Sequence, residues 1–171
     1  MILPGAEPEV GLDRPLDLLA ACHGRIRRFC ALLRRLAEPD TPFDPEAAAR
    51  VHRYFETAGR DHHADEEVDL FPRLRRLRPD LAPLLERLVR EHRELERLWA
   101  VVAPGLAAPE AGRDAAWREA AARFCALSLD HAALEDAELL PAARETLDAA
   151  ALGPLGRAMA ARRGVPYPGA G

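Results

Sequence analysis

Two short strings hold the residues best suited to chemistry in this chain: Asp61-His62-His63-Ala64-Asp65-Glu66 and Asp130-His131-Ala132-Ala133-Leu134-Glu135. In each, a histidine is followed four residues later by a glutamate, and on a helix that spacing sets imidazole and carboxylate side by side on one face. One such pair is weak ground for any function, because helices are full of them. Here the pairs belong to a longer internal repeat with a constant offset of 69 residues. His23 falls on His92, His62 on His131, Glu66 on Glu135, Phe55 on Phe124, Asp61 on Asp130 and Pro72 on Pro141, and the flanking Ile26, Phe29, Leu32 and Leu70 fall on Leu95, Leu98, Val101 and Leu139. Four of the six histidines therefore stand in one register.

The repeat gives the spacing a meaning. Phe55 and Phe124 lie two turns before His62 and His131, so both pairs share an apolar stripe and point inward. Four buried imidazoles and two buried carboxylates would be costly without partners. A bound metal removes that cost, with His23, His62, Glu66, His92, His131 and Glu135 as its ligands. Imidazole and carboxylate donors with no thiolate in register point to iron or manganese before a structural zinc or copper. Cys22, next to His23, is turned about 100° away around the helix. If each glutamate bridges two metals, the protein fills about eight of the roughly twelve positions of two octahedral ions. A bridging oxo or hydroxo group takes two more, leaving about one open position per ion for a small diatomic ligand. His52 and His63 fall outside the repeat and are assigned to the surface or to the surroundings of the ligands, although Glu67, four residues after His63, leaves that residue a route to ligation.

The elements that must position these residues are helices. Proline and glycine divide the chain into segments rich in Ala, Leu, Arg and Glu and poor in β-branched residues. The first runs from an N-cap at Asp13 to Ala37, with Leu16, Leu19, Ile26, Cys30 and Leu33 at helical spacing. The second opens at Asp44-Pro45 and runs through Val51, Phe55, His62 and Leu70 to Pro72, which should kink or end it. The third starts at Asp80 and stops at the Pro104-Gly105 break, with a loop following to about Gly112. The fourth extends from Arg113 to about Leu147. A weaker fifth, Asp148 to Arg163, is interrupted at Gly153-Pro154, and the tail Val165 to Gly171 reads as unstructured. Amphipathic helices joined by short loops predict an all-α, up-down-up-down four-helix bundle over residues 13–147, preceded by an extension (1–12) and followed by a short helix and tail (148–171).

Composition narrows the function. The 171 residues suffice for one domain, and 49% hydrophobic content supplies a core. The 28 acids outnumber 24 bases, every base being arginine, so the net charge of −4 argues against a nucleic-acid partner. No apolar run approaches the roughly 20 residues that span a bilayer, and no charged signal-like start is present. Three cysteines without C-x-x-C spacing fit a reducing cytoplasm.

The strings Asp61 to Glu67 with Leu70-Phe71-Pro72, and Asp130 to Glu135 with Leu139-Leu140-Pro141, resemble the hemerythrin-like, or HHE cation-binding, domain, as do the contexts of His23 and His92. The resemblance covers about Leu16 to Leu147. It implies a four-helix bundle around a non-heme di-iron centre, with the six residues named above as ligands by position. Oxygen-carrying members place a second histidine four residues after the one on the third helix, where this chain has Glu96, and use a more distant aspartate on the fourth helix. The resemblance is thus nearer to bacterial members with four histidines and two glutamates, some of which act in iron–sulfur repair under nitrosative stress. Those usually carry a cysteine-containing N-terminal domain, for which the residues before Asp13 are too few. Glu96 is left out of the ligand set and expected to face solvent, paired with Arg93 or Arg97.

The leading function is therefore a di-iron protein, monomer or homodimer, that binds or senses O2 or NO, or handles iron. A di-iron redox enzyme turning over peroxide or NO, or repairing iron–sulfur clusters, is the alternative. A metal-free interaction bundle is the residual reading.

Overall fold

The computed structural model describes residues 11–107 and 113–168, and among them every regular element is helical. Helix α1 (Pro15–Ala37) carries the buried stripe Leu16, Leu19, Cys22, His23, Ile26, Cys30 and Leu33. Its N-cap is Arg14, without a side-chain cap bond, rather than Asp13; Pro15 at the first helical position leaves one fewer unpaired amide at this end. Helix α2 (Pro45–Glu56) is capped by Asp44, whose carboxylate accepts from the Ala47 amide at 2.9 Å.

The second segment is not one helix. It breaks at Thr57 (φ −118°, ψ −87°), then resumes as α3 (Ala58–Ala64), a π-helical turn (Asp65–Leu70) and α4 (Phe71–Leu77). Pro72 neither ends nor breaks it. The Phe71 amide reaches back five residues to the Glu66 carbonyl, and this wider turn relieves the clash that a proline ring makes with the carbonyl four residues earlier. The second half repeats the device. Helix α6 (Ala115–Leu134), capped by Asp114, passes into a π-helical turn (Glu135–Leu139) and then α7 (Leu140–Thr146), with the Leu140 amide bonded to the Glu135 carbonyl.

A 3-10 turn (Pro79–Leu81) leads into α5 (Ala82–Ala107), and α8 (Ala149–Arg162) follows a cap by Asp148. Both run on through prolines expected to break them, Pro104 and Pro154. In each case the residue whose carbonyl loses its bond, Ala100 or Ala150, is exposed to water, while Leu106 and Met159 hold the following turn in the core. The loop expected at 108–112, residues 1–10 of the expected N-terminal extension and the tail's last residues, 169–171, lie outside the described residues. Within the tail, Tyr167 packs beneath the Arg157 guanidinium, 5.7 Å from its ring centre.

The core is split. One apolar cluster gathers Ile26, Cys30, Leu33, Phe55, Trp99 and Phe124; the other gathers Leu19, Leu70, Leu88, Leu139, Leu155 and Met159. Between them lies a buried polar layer of His23, His62, Glu66, His92, His131 and Glu135. Helices α1 and α5 pass from the second cluster to the first. The α2–α4 run and the α6–α7 run cross the layer in the opposite sense.

Candidate metal centre

Each element delivers its donors where its stripe crosses the layer: α1 gives His23, α3 His62, α5 His92 and α6 His131, while the two π-helical turns give Glu66 and Glu135. All six residues that the repeat singled out are brought together. The two carboxylates stand between the imidazoles. Glu66 turns Oε1 toward His62 Nε2 (3.5 Å) and Oε2 toward His92 Nε2 (3.4 Å). Glu135 turns Oε2 toward His23 Nε2 (3.0 Å) and His62 Nε2 (3.8 Å), and Oε1 toward His131 Nε2 (3.0 Å). Each glutamate thus faces a first set of nitrogens, His23 and His62, with one oxygen and a second set, His92 and His131, with the other.

This donor set fits metal ions. His23 Nε2, His62 Nε2 and all four carboxylate oxygens are buried and make no well-aligned hydrogen bond among the described residues, facing one another as ion pairs at 3.0 Å and beyond, a costly state for a metal-free core. Adjacent ligands on bonds of about 2.1 Å lie about 3 Å apart, close to the shortest separations here. Two overlapping groups, His23–His62–Glu66–Glu135 and Glu66–His92–His131–Glu135, each keep their donor atoms within 4.8 Å of one another.

The outer nitrogens of three of the histidines are also held. His23 Nδ1 donates to Asp136 Oδ1 (2.6 Å), His92 Nδ1 to Glu67 Oε1 (2.6 Å) and His131 Nδ1 to Glu91 Oε2 (2.8 Å). A proton fixed on Nδ1 leaves a neutral ring's lone pair on Nε2; in the metal-free layer His92 Nε2 and His131 Nε2 lie 2.9 Å apart in a hydrogen bond, so one of that pair carries a proton there as well. Arg27 in turn binds Asp136, and Arg87 binds Glu91. Sequence reasoning missed these carboxylates, although the repeat held the signal: Glu67 and Asp136 directly follow Glu66 and Glu135 in the same register. Cys22 is the counterpart of Glu91, and its thiol is the group beside His62.

The electrostatics follow from this crowding. Burial opposes ionisation of Glu135, but His131, His23 and His62 outweigh it and hold its carboxyl well below the usual range. Burial likewise disfavours charge on His131, yet Glu135, Glu66 and Glu91 raise it to about 8. His62 is raised well above its ordinary value, Glu66, Cys22 and Glu135 overcoming its burial.

Helix α8 braces the first π-helical turn. Asp65, fully buried beside Glu66, receives Arg162 (2.5 Å) and Arg163 (2.6 Å), and Arg162 also binds Asp69 (2.8 Å).

Three further expectations meet the structure here. His52 lies beside Trp99, away from the layer. His63 is half-buried against the centre itself, its ring stacked on His92 at 3.9 Å. Glu96 is exposed as expected, but it pairs with neither arginine: Arg97 binds Glu94 instead (2.8 Å). Glu96, with His63, His131, Phe55, Trp99 and Phe124, lines a cavity of about 600 Å³ that adjoins the centre.

Comparison with known proteins agrees with this geometry. Over residues 14–143 the chain matches the family described as hemerythrin HHE cation binding domain. It is also similar to an uncharacterised protein of Haemophilus influenzae, 32% identical over 162 residues that cover 90% of this chain and 92% of that one.

Proposed function

This chain belongs to the hemerythrin HHE cation binding family, and from that premise we propose that it is a non-heme di-iron protein that binds or senses a small diatomic ligand, O2 or NO, or handles iron. The observation that carries this reading is the placement of Glu66 and Glu135, each with one oxygen toward His23 or His62 and the other toward His92 or His131. In this reading His23 and His62 would hold one ion and His92 and His131 the other, with Glu66 and Glu135 placed to serve both. Two iron ions so bridged, with an oxo or hydroxo group between them, would supply a redox-active centre with an open position for a diatomic molecule. The protein's own part is to bury the layer between the two apolar clusters and, through Asp136, Glu67 and Glu91, to hold the outer nitrogens of His23, His92 and His131 so that Nε2 is the atom offered to an ion.

The opposed crossings of the layer support an up-down-up-down four-helix bundle, with α8 added at one end. Three free, buried cysteines accord with a reducing cytoplasm. Among the described residues no helix is long and apolar enough to cross a membrane.

Anaerobic reconstitution with ferrous iron tests the reading. About two irons per chain are expected, and a content that stays at zero would refute it. One observation favours the second reading, a redox enzyme acting in oxidative or nitrosative stress: a cavity of about 600 Å³ is far larger than a diatomic molecule requires. Turnover of peroxide or NO by the iron-loaded protein, abolished in His62→Ala, would select it.

A further inference from the structure

We propose that the cavity lined by α3 and α5 is a binding site for an organic cation, a primary amine on an apolar body, whose ammonium group sits at the mouth with Glu67 and Glu96. The cavity, about 600 Å³, has the size of a site for a small organic molecule. Its inner walls are apolar and aromatic: Phe55, Trp99 and Phe124, each buried, stand around it with Ile26 and Leu95. It opens beside the break at Thr57, where the two halves of the repeat differ, since the counterpart of Thr57 is Ala126 inside the unbroken α6. Val68, which also lines it, is 64% exposed, and an apolar body in the cavity would cover that side chain.

Charge at the mouth decides which kind of molecule fits. By the repeat, Glu96 is the counterpart of Arg27, and Glu67 of Asp136. In the other half of the bundle Arg27 reaches from α1 to Asp136 on the second π-helical turn and ties the two together with an ion pair of 2.5 Å. Here both positions are carboxylates, so no such pair forms and its cation is missing. Glu67 holds His92 Nδ1 with one oxygen, and Glu96 has no hydrogen-bond or ion-pair partner among the described residues. Arg60, the arginine that lines the cavity, already faces Glu56 at 3.4 Å, and Glu56 also accepts from Trp99 Nε1 at 2.7 Å. Three carboxylates against one guanidinium attract a cation and repel an anion, so a carboxylic acid with the same body is disfavoured. An ammonium group with Glu67 and Glu96 supplies the charge that Arg27 supplies to the other half, while its apolar part covers the aromatic walls. Nothing in this site requires a metal ion, so the assignment goes beyond the di-iron reading and does not depend on it.

Octylamine, 1-octanol and octanoate share one body and differ in the head, so calorimetric titration of the full chain with each at neutral pH tests the assignment. Octylamine should bind about tenfold more tightly than octanol, and octanoate more weakly than either. Glu96→Gln, a change at an exposed position, should bring octylamine down to the affinity of octanol. Glu96→Arg, which recreates with Glu67 the pair that Arg27 makes with Asp136, should abolish octylamine binding. Nuclear Overhauser contacts should run from the octyl chain to the rings of Phe55, Trp99 and Phe124. Equal affinity for octylamine and octanol, tighter binding of octanoate, contacts to other parts of the chain, or Glu96→Gln binding octylamine as the parent does would each overturn the proposal. A chain that takes up metal but binds none of the three probes would also overturn it and leave the metal centre standing. A chain that takes up no metal yet prefers octylamine in this way would refute the di-iron reading and uphold this one.

Discussion

Asp136 and Glu67 do for His23 and His92 what a free carboxylate in water could not: they fix one tautomer before any metal arrives. Asp136→Asn and Glu67→Gln keep the shape and lose the charge, and each should weaken metal binding about 10- to 100-fold in a chelator competition. His62→Ala and His131→Ala, equivalent by the repeat, should damage the centre alike, and His52→Ala should leave its metal content unchanged. The metal-free protein should also show a definite pH response. His131, raised to about 8 from an ordinary 6.5, favours the folded state below about pH 6.5, where both states are protonated, and that stabilisation disappears as pH rises through 8. Its size is about 2 kcal/mol. His62, raised as well, carries the loss to higher pH. Urea unfolding of the metal-free chain at pH 6 and pH 9 measures the difference, which His131→Ala should reduce. Because metal displaces the same protons, affinity should rise across that window. These six positions were legible because their register is periodic. The place of His63 was not, since its stacking partner His92 comes from α5, and Glu67, four residues after His63, holds His92 instead.

The helices place these residues through two π-helical turns. A widened turn sacrifices regular α-helical bonding and is retained where the surroundings favour it, often at functional sites. Here it aims Glu66 and Glu135 at the layer while admitting Pro72 and Pro141 just beyond. That is why the proline rule misled at Pro72: it assumes an α-helical register, and no residue-type signal marks a π turn. At Pro104 and Pro154 the rule misled for another reason, since the orphaned carbonyl belongs to an exposed residue and water satisfies it. Helix α8, weak by its own pattern, has its role in Arg162 and Arg163, which neutralise the buried Asp65. Replacing both arginines with alanine strands a buried carboxylate, an error of about 3–5 kcal/mol. The double variant should melt well below the parent and bind metal more weakly, because Asp65 precedes Glu66. Asp65→Asn added to that variant should recover part of the lost stability; no recovery would show that α8 acts by packing alone.

At the scale of the whole molecule, a polar layer divides one core into two, and its histidines join α1, α3, α5 and α6 at that level. Without metal the layer contains buried oxygens and nitrogens that make no well-aligned hydrogen bond, so the two apolar clusters must bear the folding free energy against it. An ion that binds only the folded chain adds about 2.7 kcal/mol when present at a hundred times its dissociation constant. The metal-loaded protein should therefore melt several degrees above the metal-free one, and hydrogen exchange should slow first in the two π-helical turns, where Glu66 and Glu135 lie. A core variant separates this from general stability. Leu33→Ala, deep in the first cluster and away from the layer, should cost about 2–5 kcal/mol in loaded and metal-free protein alike, leaving the number of bound ions unchanged. If instead the loaded and metal-free proteins melt together, the layer is satisfied without metal and its six donors serve packing only.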